Sequence, residues 1–423
     1  MALREIAAKQ RGYLIVNSHP EGCAATVEQT WESIPAADGG DRRADGEGPV
    51  VLLLGASAGY GLAILLAGLR RHGIRGVGVG YEAPETERRT ASAGWYRTAA
   101  AAALAERNGN DFRFVNADAF SDEARTTVLD LVAAEYGRVD YLIYSLAAPR
   151  RTDPRTGTTY TSVLKALGSP YDAPSLVFED DTPRIGTVHL DVATDAEREA
   201  TIQVMGGADW QEWVTAIRAR DLAAPGFTTV ALSYVGSEIT APVYRHGTIG
   251  AAKEHLEATA TNLAGPSGTS GGQGAEPGAA SEGERAFTAV AGAAVTQAST
   301  AIPSIALYTT LLRRALGPAA FRTPAQQAVA LWDQLTGAAP LALDDRGRIR
   351  LDGWELDEDV QNAVRALWAD PEASLAASVE EAAWFLTEVR RLYGWSVPGI
   401  DYGRPVDTTV PWPVPQPSAA TVG

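Results

Sequence analysis

Uninterrupted apolar runs, each followed by a stretch of helical spacing, recur through the first half of the chain. VVLLLG (50–55) reads as a strand buried on both faces, and YGLAILLAGLRR (60–71) as the helix after it. IRGVGVGYE (74–82), FRFVNAD (112–118), VDYLIYSLA (139–147) and TTVALSYVG (228–236) read as further strands. SAGWYRTAAAAALAER (92–107), DEARTTVLDLVAAEYG (122–137) and a segment from about Thr248 read as helices. Strands alternating with helices of this length predict an α/β fold with a doubly wound, parallel Rossmann-type sheet.

From 301 to 392 the pattern is mostly helical, with a hairpin or turn expected around LDDRGRIRLDGWEL (343–356). The expected organisation is a core over about 48–264 and 287–320, followed by a helical portion over 321–405. Within it, 265–284 is Gly/Ser/Pro-rich and reads as a flexible insertion; 406–423 is proline-rich and reads as a loose tail.

The first turn carries chemistry. Gly55-Ala56-Ser57-Ala58-Gly59-Tyr60-Gly61 follows a strand and opens a helix, which is the place for a dinucleotide pyrophosphate. Glu82 ends the second strand about 20 residues on, where an acid binds the adenosine ribose. Asp118 ends the third, and Ser145-Leu146-Ala147 the fourth. These strand ends in register predict a nicotinamide dinucleotide site.

Tyr244 and Lys253 are separated by eight residues. On one helix that step turns through about 900°, which puts the two on opposite faces. They can share a site only if Tyr244 lies off the helix; Gly247 supplies the break and Thr248 a candidate cap for the helix carrying Lys253. Tyr234 lies at the carboxyl end of its strand, the ligand-binding edge of such a sheet. Lys9, Lys165 and Lys253 are the only lysines among 36 basic residues, so Lys253 draws notice as a compact ammonium where arginine was the habit.

Charge and composition narrow the partners. A net charge of −16 argues against nucleic-acid binding or docking on an anionic membrane. A local reversal at Arg150, Arg151, Arg155 and Lys165 offers attraction for an acidic ligand. With Cys23 as its single cysteine and five scattered histidines, the chain is not expected to hold a disulfide or a metal. No apolar run is long enough to span a bilayer and no secretory signal is read at the start, so a cytosolic enzyme is expected.

Several blocks in order carry a resemblance: SHPEGC (18–23), GASAGYG (55–61), AGWY (93–96), DAFSDE (118–123), YSLAAPRRTDPRTG (144–157), SVLK (162–165), MGGADW (205–210), SYVGSE (233–238), YRHGTIGAAK (244–253), VTQASTAIP (295–303) and GRIRLDGWEL (347–356). Across nearly its whole length the chain resembles the single-chain trans-2-enoyl-CoA and enoyl-acyl-carrier-protein reductases. It departs from that pattern in the long 265–284 connection, in VAGAA (290–294) where a polar pair is usual, and at Gly80 in place of an aromatic.

The resemblance implies reduction of the C2–C3 double bond of an acyl-CoA or acyl-carrier-protein thioester by NADH. It implies a proton-donor role for Tyr244 and substrate contact for Tyr234. Cofactor contacts are implied for Gly55, Ala56, Ser57, Ala58, Gly59, Tyr60, Tyr81, Glu82, Asp118, Ala119, Leu146, Ala147, Lys253, Ala294, Val295 and Thr296, with Glu82 favouring NADH over NADPH. A monomer with extra helices covering the substrate cleft is also implied. Chemically, hydride arriving at the β-carbon leaves an enolate, which a phenol can stabilise while Lys253 holds the ribose and lowers the tyrosine's proton affinity. The alternatives are a catalytically idle NAD-binding scaffold and a ketoreductase of the same fold.

Overall fold

The computed structural model describes residues 3–36, 48–264, 283–302 and 304–413. Seven strands form one parallel sheet: β1 (Val50–Leu54), β2 (Arg75–Gly80), β3 (Phe112–Asn116), β4 (Val139–Tyr144), β5 (Ala223–Ser233), β6 (Arg285–Val290) and β7 (Ile349–Arg350). Their spatial order is 3-2-1-4-5-6-7. The order reverses between β1 and β4, the switch point where doubly wound sheets bind ligands beyond the strands' carboxyl ends. The α/β expectation holds.

The helices are α1 (Pro20–Ser33), α2 (Gly59–Ala67), α3 (Ala93–Arg107), α4 (Asp122–Glu135), α5 (Asp195–Met205), α6 (Ala208–Ala219), the single turn α7 (Ala241–Tyr244) and α8 (Thr248–Leu263). After β6 come α9 (Ile305–Leu316), α10 (Pro324–Leu335), α11 (Glu358–Trp368), α12 (Pro371–Ala376) and α13 (Val379–Arg391). Side chains alternate across a strand, and β1 makes the consequence plain. Val51 and Leu53 join the core under α1, α2, α3 and α10, whereas Val50, Leu52 and Leu54 join the core under α4, α6 and α8. Both faces are buried, hence the unbroken apolar run.

A third core lies beyond the sheet. There α9, α11, α12 and α13 pack with a β-hairpin (Tyr171–Glu179 and Thr182–Leu190) around Leu307, Tyr308, Val364 and Phe385. Tyr244 belongs to this cluster and Tyr234 packs against it. The C-terminal helices thus wall the end of the sheet where a ligand would sit.

Several elements differ from expectation. The hairpin, α5 and α6 were not anticipated. β6 is not legible as a strand. The turn expected around 343–356 does form, with Gly347 N donating to Asp344 O at 2.8 Å and Leu343 bridging Ile349 antiparallel, but its far arm, β7, is also the last strand of the sheet. Residues 406–413 do not form a loose tail: Val406 and Asp407 pair with Leu3 and Arg4, Val410 O accepts from Trp95 Nε1 at 2.7 Å, and the Trp412 and Trp95 rings meet edge to face at 5.1 Å. Tryptophan burial and β-pairing outweigh the flexibility that proline content suggested. The rest of that segment, 414–423, lies outside the described residues, as does the 265–284 insertion apart from Gly283 and Glu284. Among the described residues no helix is long and apolar enough to cross a membrane.

Candidate active site

A cleft of about 500 Å³ opens at the carboxyl ends of β1, β2, β4 and β5. Its floor is the glycine turn. Gly55 has φ +88°, and a Cβ there would lie 2.3 Å from Ser145 O; one on Gly61 would lie 1.9 Å from Gly55 O. Only glycine permits that closeness. No side chain caps α2, so its first N–H groups face the cleft with the positive end of the helix dipole behind them. That cradle fits a pyrophosphate.

Glu82 stands beside it at the end of β2. Its carboxylate accepts from Ser57 Oγ at 2.6 Å and Ser92 Oγ at 2.5 Å, while its own N–H donates to Asn116 Oδ1 at 2.8 Å. These bonds fix an anionic acceptor where the adenosine ribose of a dinucleotide would lie. Asp118 closes its own turn by accepting from Phe120 N at 3.0 Å.

Of the sequence-predicted residues, Gly55, Ser57, Ala58, Gly59, Tyr60, Tyr81, Glu82, Asp118, Ala119, Leu146, Ala147, Tyr234, Tyr244, Lys253, Ala294 and Thr296 line this one cleft. Two do not. Ala56 is turned into the core and its N–H donates to Val79 O at 3.0 Å; the Val295 side chain packs into the C-terminal cluster. Tyr60 lines the cleft but points its hydroxyl away, donating to Gly292 O at 2.6 Å and so tying the first loop to the loop after β6.

Tyr244 ends the turn α7 and Lys253 lies inside α8, so the two reach the cleft from separate elements. Thr248 does not cap α8 through its side chain. It is the first helical residue, and its hydroxyl instead bonds Val163 O and accepts from Lys165 N, pinning the 163–165 segment. Burial lowers Lys253 to about 8; its ammonium bonds Leu232 O at 3.4 Å. Burial, then the Glu355 carboxylate, push the Tyr244 hydroxyl upward. No hydrogen bond joins Tyr244 to Lys253, so the expected lowering of the tyrosine's proton affinity is absent here. Tyr244 is a phenol that keeps its proton, and its hydroxyl has no partner among the described residues.

Tyr234 follows β5 directly, and its ring meets that of Tyr244 edge to face at 4.6 Å. Its hydroxyl, however, donates to Glu355 Oε1 at 2.8 Å, an oxygen that also accepts from Tyr308 at 2.8 Å. Glu355 and Tyr308 were not picked out from the sequence. DGWEL belongs to a matching block, but an acid after a turn reads as a surface group.

The local basic stretch is mostly spoken for. Arg151 is buried, donates to Gln203 O at 2.9 Å and lies over the Phe120 ring. Arg155 pairs with Glu212 at 3.2 Å and Lys165 with Glu197 at 2.7 Å. Arg150 alone of the four is exposed without an ion pair among the described residues.

This arrangement offers a cradle for a dinucleotide and a proton-bearing phenol beside it. Family models agree along the chain: residues 5–87 match the NAD(P)H binding domain of trans-2-enoyl-CoA reductase, and residues 89–335 its catalytic region. The chain belongs to the trans-2-enoyl-CoA reductase family. The enoyl reductase is 51% identical over 404 residues to an enoyl-[acyl-carrier-protein] reductase [NADH] of Streptomyces avermitilis, covering 95% of this chain and 98% of that one. It is 36% identical over 407 residues to a trans-2-enoyl-CoA reductase [NADH] of Clostridium perfringens, covering 96% and 99%. Among solved structures, Treponema denticola trans-2-enoyl-CoA reductase in complex with NAD matches with a TM-score of 0.83 at 34% identity, covering 94% of this chain and 97% of that one. The Rossmann-type fold, the oxidoreductase class and the nicotinamide cofactor expected from the sequence are borne out.

Residues 343–406 match a third model, described as an enoyl reductase FAD binding domain. Asp352 and Glu355, which follow β7 in that segment, are buried, the first paired with Arg350 at 2.7 Å, and no residue from 343 to 406 lines the cleft, so the segment offers a flavin no place there.

Proposed function

We propose that this cleft reduces the C2–C3 double bond of trans-2-enoyl thioesters, with Tyr244 donating to the thioester oxygen. The observation that carries the reading is Tyr244 itself: a buried phenol held in its protonated form, with no competing partner, in the same cleft as the glycine cradle. The α2 N-terminus would hold the pyrophosphate, Glu82 the adenosine ribose and Lys253 the nicotinamide ribose. Bound there, NADH supplies the hydride. The β-carbon receives it, and negative charge moves to the thioester oxygen, where the Tyr244 O–H stabilises it. The enolate then takes a proton at the α-carbon, ultimately from water, giving the saturated thioester. Apolar side chains at the far end of the cleft (Met205, Ile249, Ile302 and Ile305) suit an acyl chain and keep water from the enolate.

The thioester carrier is CoA or acyl-carrier protein, and the enzyme acts in the cytoplasm as a monomer. The test is NADH consumption with crotonyl-CoA, a crotonyl-carrier-protein thioester and acetoacetyl-CoA. Turnover of the enoyl thioesters, with little on the 3-oxo compound, is expected. Activity confined to acetoacetyl-CoA would favour a ketoreductase, and none on any substrate an idle scaffold.

A further inference from the structure

Behind the wall of the cleft, Glu355 is 0% exposed. Its Oε1 accepts from the hydroxyls of Tyr234 and Tyr308, each at 2.8 Å, and its Oε2 accepts from Ala293 N at 2.5 Å. Gln361 Nε2 donates to the Tyr308 oxygen at 3.1 Å and to Glu355 O at 2.7 Å. No cation reaches this carboxyl among the described residues. The groups that face it are Tyr234 and Tyr244 from the segments after β5, Tyr308 from α9, Tyr60 from α2, and Asp352, which is itself bound to Arg350 at 2.7 Å.

A phenol owns a single proton. While Glu355 is ionised, the proton of Tyr234 is committed to it, and the hydroxyl can offer the cleft only lone pairs. A thioester oxygen gaining enolate charge needs donors, and a second anion in the same dry wall opposes that charge. A proton on Glu355 reverses both effects. Its O–H can donate to the Tyr234 oxygen, whose hydrogen is then free to turn into the cleft beside Tyr244.

We propose that Glu355 is a positioning residue that works in its protonated form, turning the Tyr234 hydroxyl from the buried carboxyl to the thioester oxygen so that Tyr234 and Tyr244 donate together. The inference rests on the enoyl-reductase reading of the cleft. No bond to carbon is made or broken by Glu355; its proton stays on the Glu355–Tyr234 pair through turnover. Burial, with Asp352 adding to it, raises Glu355 to about 7, against the opposing pull of its three donors. The neutral form is therefore populated under ordinary assay conditions.

The test is kcat with saturating NADH and crotonyl-CoA between pH 5.5 and 9, for the wild type, Glu355→Gln and Tyr308→Phe. The wild type is expected to fall through about pH 7 and again where Lys253 loses its proton, near 8. Glutamine copies the neutral acid, accepting from Ala293 N and donating to the tyrosines. Glu355→Gln should therefore lose the lower step, keep the upper one, and exceed the wild type by about threefold or more half a unit above the lower step. Tyr308→Phe removes a donor that stabilises the carboxylate, so the lower step should move up by roughly half a unit or more. A Glu355→Gln profile that superimposes on the wild type overturns the proposal. So does loss of activity at every pH in a Glu355→Gln protein whose melting temperature is unchanged. If Glu355→Gln does not fold, Tyr308→Phe decides: a step that stays or moves down contradicts the proposal. A wild type inactive on enoyl thioesters at all pH values would instead sink the reading of the cleft beneath it.

Discussion

Glu82 is held by two serine hydroxyls, and in the proposed cofactor pose a 2′-phosphate would have to lie beside it. Two like charges about 4 Å apart near a protein surface repel by up to ~4 kcal/mol, and half-exposure reduces that. A preference for NADH over NADPH of at least about tenfold is expected, narrowing in Glu82→Ala; equal kcat/KM for both cofactors in the unmodified enzyme would contradict it. At Tyr244, phenylalanine keeps the ring contact with Tyr234 and removes the donor. Its kcat should fall by roughly 10²-fold or more, and near-normal turnover would place the chemistry elsewhere. Lys253 is charged below about pH 8 and neutral above it, so NADH binding should weaken as pH rises through that value. Titrating the dissociation constant by NADH fluorescence checks this: Lys253→Met should bind weakly and without the step.

Residues of this kind were unequally legible. Lys253 was singled out because lysine is scarce, yet Lys165, equally scarce, makes an ion pair with Glu197 away from the cleft lining. Rarity marks a position without saying what it does. Glu355 stands only inside a matching block, GRIRLDGWEL, with nothing to set it apart. Its role depends on Tyr234 and Tyr308, brought to it by β5 and α9 from far along the chain, and no local pattern encodes that meeting.

Elements were read best where burial on both faces writes an unbroken apolar run, as in β1, and where caps agree with it, as when Ser121 Oγ accepts from Ala124 N at 3.1 Å to start α4. The hairpin at 171–190 is not legible because Pro174 and Pro183 interrupt its alternation, and its apolar face packs against partners far along the chain, Tyr13 and the late helices. β7 has two residues, too few for any period. At this scale the basic stretch divides in two. Arg151→Ala should lower the melting temperature by a few degrees, since it removes a buried guanidinium from Gln203 O and Phe120, with little direct effect on KM. Arg150→Glu should leave the melting temperature nearly unchanged and raise KM for a CoA or carrier-protein thioester by about two- to fivefold. The reverse pattern would mean that Arg150 braces the loop and Arg151 meets the ligand.

Across the whole molecule, the sheet order, the glycine turn and the cleft all lie at one topological switch point, and α9, α11, α12 and α13 wall it. The parallel sheet could be anticipated because strand and helix periods alternate along the sequence. The way the chain ends wrap back could not, because Leu3–Arg4 and Val406–Asp407 pair across almost its full length. The central claim is that hydride goes to the β-carbon of an enoyl thioester and a solvent proton to the α-carbon. The direct measurement is mass and NMR analysis of the product from crotonyl-CoA with NADH deuterated at both nicotinamide C4 positions, in ordinary water. A repeat with ordinary NADH in heavy water completes it. Butyryl-CoA labelled only at the β-carbon in the first reaction and at the α-carbon in the second is the predicted result. Cofactor deuterium at the α-carbon, or on a hydroxyl-bearing carbon of an alcohol product, would contradict it.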